Sequence, residues 1–230
     1  MKASEAMMPT KVFALVCLTA AIAAAQAPFS PARYRSGGVP PMPSQTVGGG
    51  EVRLEVDLDG TGRVTSMKPL RTTPPFADLI AGAVRTWQFE PAEEAVRDPA
   101  RPNAPPARAA APSKVLVTGL FRPPTLNTPT LGEAPRDVAA ASEEIPVPLS
   151  TSSPPYPPNA LNGGVVLLEA MINASGSLGR ITVLQSSPPF DAAARTALES
   201  WRFRPARRRG EAVASYIYVM FGFAAPIVGE

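Results

Sequence analysis

The sequence predicts an α+β protein made of two repeated modules, each a three-stranded antiparallel sheet in the order 2-1-3 packed against one main helix. Three observations carry this. Two long stretches match each other at a fixed offset. Within each, the apolar period changes from two to three-or-four and back to two. Proline-rich connectors bracket both: the chain has 29 prolines in 230 residues, more than twice the usual ~5%.

The repeat is the strongest signal. Pro74-Pro75-Phe76 recurs as Pro188-Pro189-Phe190, and Trp87-x-Phe89-x-Pro91-Ala92 as Trp201-x-Phe203-x-Pro205-Ala206. The offset of 114 holds without a gap from Pro40 to Ala92, and 18 of those 53 positions are identical, too many in one register for chance. After Ala92 the first copy carries a loop insert at 97–112, RDPARPNAPPARAAAP, and the match then resumes with Ser113 against Ser215.

Each module reads strand, turn, strand, helix, strand. Val52, Leu54, Val56 and Leu58 alternate with Glu51, Arg53, Glu55 and Asp57, the pattern of a half-buried strand. Asp59-Gly60-Thr61-Gly62 and Asn173-Ala174-Ser175-Gly176 follow as tight turns, with glycine where a positive φ is needed. Second strands are expected over about 63–71 and 177–185. Phe76, Ile80, Ala83 or Val84, and Trp87, like Phe190, Ala194, Ala197 or Leu198, and Trp201, then stand three or four apart, which gives one apolar helix stripe against the sheet. Asp191 is the expected cap. Pro91 and Pro205 end the helical stretch, and third strands follow at 113–122 and 213–223. Direction makes the third strand pair with the first, so strands two and three are both expected as edges. Pro69 is tolerable on such an edge. In the second copy, Val165, Leu167 and Met171 replace Glu51, Arg53 and Asp57. Its first strand is therefore apolar on both faces, and something must cover the outer one.

The remaining segments set the context. Lys2 and Lys11 precede an apolar run from Val12 to Ala25 that ends in small residues, which reads as a signal peptide at 1–27. The alternative is an uncleaved inner-membrane anchor. Residues 28–39 are expected to be disordered, 40–122 form module 1, 123–153 a Pro/Ser/Thr/Ala-rich linker, 154–224 module 2 and 225–230 a tail. The chain has no histidine and one cysteine, Cys17. That excludes imidazole-based catalysis, His-ligated zinc and an internal disulfide. The net charge of +3 is too small to argue for nucleic acid. Glu55 and Glu169 are matched carboxylates on the polar side of a strand, with no second acid or base placed beside them. No enzyme, metal site or cofactor is expected. Arg202, Arg204, Arg207, Arg208 and Arg209 form a basic patch at the end of the second helix, for which solvation is the plain reading and an anionic partner the sharper one.

Several residues of the second copy together resemble a known family. Tyr156-Pro157-x-x-Ala160-Leu161, Gly164-Val165-x-Leu167, Ser186-Ser187, Phe190-Asp191 and Trp201-Arg202-Phe203-Arg204-Pro205-Ala206 are similar in order and spacing to the C-terminal domain of TonB. The first copy is similar more weakly, with Met42 in place of Tyr156 and Thr72-Thr73 in place of Ser186-Ser187. The resemblance implies a periplasmic α+β interaction domain. Its last strand pairs with the Ton-box peptide of TonB-dependent outer-membrane receptors. It thereby implies partner-binding residues Ser215, Tyr216, Ile217, Tyr218, Val219, Met220 and Phe221, with Tyr156 and Pro157 beside them. The chain departs from motor-coupled members in lacking a histidine-bearing membrane helix and a long Pro-Lys or Pro-Glu spacer. Two expectations follow. Either the protein binds outer-membrane transport receptors or another envelope protein by strand addition, or it is an envelope scaffold in which the modules pair edge to edge, without energy transduction. A homodimer is a further form of the same pairing. No membrane span is expected after signal cleavage.

Overall fold

The computed structural model describes residues 29–43, 49–122 and 140–225. The apolar run with Cys17, most of the 123–153 connector and the end of the tail lie outside these. The elements are, in order, β1 (Phe29–Ser30), β2 (Arg33–Ser36), β3 (Gly50–Leu58), β4 (Val64–Arg71), α1 (Phe76–Val84), β5 (Gln88–Glu90), β6 (Ala92–Val96), β7 (Ala107–Ala111), β8 (Ser113–Arg122), β9 (Val147–Ser150), β10 (Gly164–Ile172), β11 (Leu178–Gln185), α2 (Asp191–Glu199), β12 (Arg202–Arg204), β13 (Ala206–Arg208), β14 (Glu211–Val213) and β15 (Ser215–Phe223). The described residues are α+β, mostly strands with two helices. No helix among the described residues is long and apolar enough to cross a membrane.

Alternation builds the strands where the sequence predicts them. Val52, Leu54, Val56 and Leu58 on β3 are buried under Phe76, Ile80 and Val84 of α1. Val166, Leu168, Ala170 and Ile172 on β10 are buried under Phe190, Ala194 and Leu198. Each Val, Leu, Ile or Phe side chain among them contributes about 1.5–3 kcal/mol by leaving water. Trp87 and Trp201 are fully buried just past the helix ends. Their indole N–H groups donate to the carbonyls of Gly38 at 2.8 Å and Ser152 at 3.1 Å. Gly62 and Gly176 take φ of 81° and 82°, and a Cβ on Gly62 would stand 2.0 Å from the Phe89 carbonyl oxygen. Asp191 does not cap α2. Its carboxylate accepts from the Ser186 hydroxyl and from the Ser187 N–H at 2.8 Å, which fixes the turn before the helix. The 97–112 insert is not wholly loop. Its end forms β7, which pairs with β6 from Ala92↔Ala111 to Val96↔Ala107. The matching hairpin of the second half, β13–β14, is shorter, so the insert lengthens a hairpin.

The sheet differs from the expected pair of three-stranded sheets. It is one six-stranded sheet in the order β11-β10-β15-β8-β3-β4. Within each half the order is second, first, third strand. The third strands, expected as edges, pair with each other in parallel at the centre, from Ile217↔Leu116 to Phe223↔Arg122. Their composition explains this. Ile217, Tyr218, Val219, Met220 and Phe221 are all fully buried, as are Leu116 and Val117, and strands apolar on both faces belong inside a sheet. Val115 and Val117 join the α1 core while their neighbour Leu116 joins the α2 core, so the two helices cover opposite faces.

Two segments read as irregular pack as straps. Residues 28–39 were expected to be disordered, yet β1 pairs with β6 and β2 with β5. Residues 140–153, expected as linker, include β9, which pairs with β12, and buried Ile145 and Val147. These are the missing covers. Ala32, Tyr34 and Met42 pack with Val165, Leu167, Tyr218 and Met220, over the outer face of the second half. Ile145 packs with Leu116 and Leu70 of the first half. Short strands without periodicity read as loop, because their pairing and not their pattern orders them.

Candidate functional site

The residues expected to bind a partner by strand addition form the middle of the sheet. Along its length β15 is paired antiparallel with β10, from Gly164↔Phe223 to Ile172↔Ser215. On its other side β8 occupies the positions from Ile217 to Phe223. Ile217, Val219 and Phe221 point into the α2 core, and Tyr218 and Met220 into the α1 core. Ser215 is buried and Tyr216 half-buried, with the Arg33 guanidinium 5.6 Å from the Tyr216 ring centre. Within this chain, then, the backbone groups that strand addition uses face β8 on one side and β10 on the other.

Tyr156 and Pro157 stand apart from the middle of that strand. The Tyr156 ring meets Phe190 edge-on at 5.5 Å and Phe223, the last residue of β15, at 6.2 Å. Its hydroxyl donates to the Asn162 carbonyl at 2.9 Å. The Pro157 carbonyl accepts from the Ala160 N–H at 3.0 Å. Both therefore shape the turn that leads into β10.

Polar groups missed by the sequence reading lock the straps down. Glu169, expected on a solvated strand face, is 1% exposed because the first strap lies over it. Arg33 Nε donates to its Oε1 at 3.1 Å. Tyr218 stands directly across from Glu169 on β15, and its hydroxyl accepts from the Tyr34 N–H at 2.8 Å. Burial raises the Glu169 carboxyl above its usual range, against the opposing pull of Arg33 and of the Tyr218 hydroxyl. Burial, and then the Glu169 charge, push the Tyr218 phenol well up. Glu55, the matching carboxylate, is also buried. It accepts from the Ser142 N–H of the second strap at 2.9 Å and pairs with Lys114 at 3.1 Å. A carboxylate shared by both copies and lying opposite the third strand was the available signal.

The arginine patch holds the halves together. Arg208 pairs with Glu94 of the first half, and with Glu144 at 3.3 Å. Arg209 pairs with Glu94 at 3.0 Å. Arg204 donates to the Ser142 carbonyl at 3.0 Å, and the Arg208 guanidinium sits 4.9 Å from the Phe29 ring centre. Carboxylates and carbonyls of the same chain thus engage most of the charge that sequence alone leaves open to an anionic partner.

No curated protein matches the chain. The family model of the Gram-negative bacterial TonB protein C-terminal matches residues 152–224, the span that holds β10, β11, α2 and β15, with the last of these central and paired on both sides. Residues 152–224 are therefore similar to the TonB protein C-terminal domain, and the match stops short of the first half of the chain.

Proposed function

We propose that the protein is a periplasmic envelope scaffold of the TonB-like type, with two tandem modules that serve protein–protein interaction without energy transduction. The observation that carries this is the parallel register of β8 against β15. The edge that would otherwise take an extended peptide is taken by the chain's own first half. The two-module reading is supported by spacing. β3 and β10, β4 and β11, β2 and β9, and β5 and β12 each lie 114 residues apart, and each pair occupies matching places in the pairings. The periplasmic location rests on the predicted signal peptide and on the family match of the second half.

A second reading, capture of a Ton-box segment of an outer-membrane transport receptor on Ser215–Phe221, is favoured by the family match itself. It requires β8 to leave β15. Hydrogen exchange of the isolated protein separates the two. On the scaffold reading, the amides of 116–122 and 217–223 exchange as slowly as those of β10, with no partner present. Exchange as fast as that of the outer strand β4 means that the seam opens readily, and the receptor reading then replaces the scaffold.

A further inference from the structure

The six-stranded sheet ends in two equivalent outer strands, and each half closes its own by a different device. Among the described residues β4 pairs with β3 alone, and β11 with β10 alone. Their registers match residue for residue: Leu54↔Pro69, Glu55↔Lys68 and Val56↔Met67 in the first half, Leu168↔Val183, Glu169↔Thr182 and Ala170↔Ile181 in the second. Pro69 has no N–H, and a proline fits within a ladder only where that group would point away from the neighbouring strand. Pro69 and Met67 therefore direct their backbone groups outward, and by the shared register so do Val183 and Ile181. Here the halves part. Val183 keeps the N–H that Pro69 lacks. Arg195 of α2, half-buried, reaches this edge instead, and its guanidinium donates to the Ile181 carbonyl at 3.3 Å. The residue matching Arg195 on α1 is Ala81. The half with proline at its edge has no arginine there, and the half with the arginine has no proline.

We infer that Arg195 is a guard that keeps the β11 edge from pairing with a second copy of the chain. Outward amides and carbonyls on an outer strand are a template for a further strand, and β11 is complementary to itself. Turned about a two-fold axis at Thr182, two β11 strands run antiparallel with Ile181 opposite Val183 on both sides of the axis. Outward residues so placed exchange both N–H···O=C bonds. Ile181 and Val183 both pack on the α2 face, so β-branched side chains meet across the pair, which favours it. Arg180 falls opposite Leu184 and clear of the other copy's Arg180. Arg195 opposes this pairing twice. It engages the Ile181 carbonyl that the Val183 N–H of a second copy needs, and it would bring two guanidinium groups to one axis. Pro69 protects β4 by the other route, deletion of the donor. The guard acts at the flank of the sheet and stands or falls independently of the state of the β8–β15 seam.

The test is sedimentation velocity of the full chain over a wide range of concentration, read beside hydrogen exchange at the Val183 amide. In the wild type this amide is expected to exchange fast and independently of concentration. Arg195→Ala, and Arg195→Met with its apolar stem kept, should each tighten self-association roughly tenfold or more, the factor that one charge-assisted hydrogen bond is worth. Both should also slow Val183 exchange as concentration rises. Adding Val183→Pro to either variant should return association to the wild-type level without lowering the melting temperature, because the first half already carries proline at that place. Arg195 variants that associate no more than the wild type overturn the assignment. So does association that Val183→Pro fails to reverse, since another surface is then responsible. A wild-type Val183 amide that exchanges slowly at every concentration shows that the group does not face outward, and one that slows with concentration shows that the edge is not guarded; either result sinks the inference.

Discussion

Proline at successive positions of β15 tests whether this strand is truly interior. Val219→Pro and Met220→Pro are made separately, each beside an alanine variant that accounts for the lost side chain. Successive N–H groups of a strand point to opposite sides. One proline therefore removes a bond to β10 and the other a bond to β8, because Val219 faces Leu168 and Thr118 while Met220 faces Leu167 and Gly119. Both residues are fully buried, so no water replaces the lost partner. Each proline forfeits about 1 kcal/mol for the bond and leaves a buried carbonyl unmatched, at about 1–3 kcal/mol. The expected cost beyond the alanine control is about 2–4 kcal/mol for both variants, read as a lowered urea midpoint at constant slope. On an edge strand one of the two N–H groups faces solvent, and its proline is nearly neutral. If either proline falls within about 0.5 kcal/mol of its alanine control, one side of β15 is open and the interior placement is wrong.

Two further outcomes are expected. Trp87→Ala and Trp201→Ala should each cost about 3–5 kcal/mol, seen in thermal melts, since each buried indole also leaves a carbonyl of the matching strap without its donor. A large loss from one and none from the other would break the equivalence of the halves. Arg33→Ala should cost about 1–3 kcal/mol by leaving the buried Glu169 unpaired, toward the lower end because Arg33 is half exposed. The sign with pH follows from the raised Glu169 carboxyl. Above its unfolded value the native state holds the extra proton, so this group's contribution to stability falls as pH rises through the folded value. Without Arg33 that value climbs further, and the loss is larger at pH 8 than at pH 5. Urea titrations at both values that give equal losses would contradict this.

The local structure was legible in the sequence, and the long-range pairing was not. Alternation along 50–58 and the stripe Phe76, Ile80, Val84 each depend on neighbours within the same element. Their strands and helices fall where the pattern puts them, including Pro69 on an outer strand. The β8–β15 seam depends on residues about a hundred positions apart. Edge-to-edge pairing stood only as one of two expectations, because a strand with apolar residues on both faces over Ser215–Phe221 equally suits one awaiting a foreign partner. The straps were harder still. β2 and β9 correspond at the same offset, but only Ser36 and Ser150 are identical across those four positions, so the match falls silent where the backbone takes over. Glu55 and Glu169 looked solvated because a strand read alone has no cover. The strap that buries each one arrives from the connector before the other half or from the start of the described chain.

The seam has a mechanical meaning. β15 is the last strand, and it is gripped along its length by nine register pairs to β10 and seven to β8. A tension applied at Phe223 along the strand axis runs parallel to both ladders. The hydrogen bonds then share the load in shear and must fail together, in contrast to the one-by-one rupture of a hairpin peeled from its end. β4, held on one side by a bulged register, offers no such resistance. Pulled between Phe29 and Ala225 in an optical trap, the protein should yield at the straps and outer strands first and give up β15 last. A first rupture at β15 would mean that the sheet does not carry force through its centre.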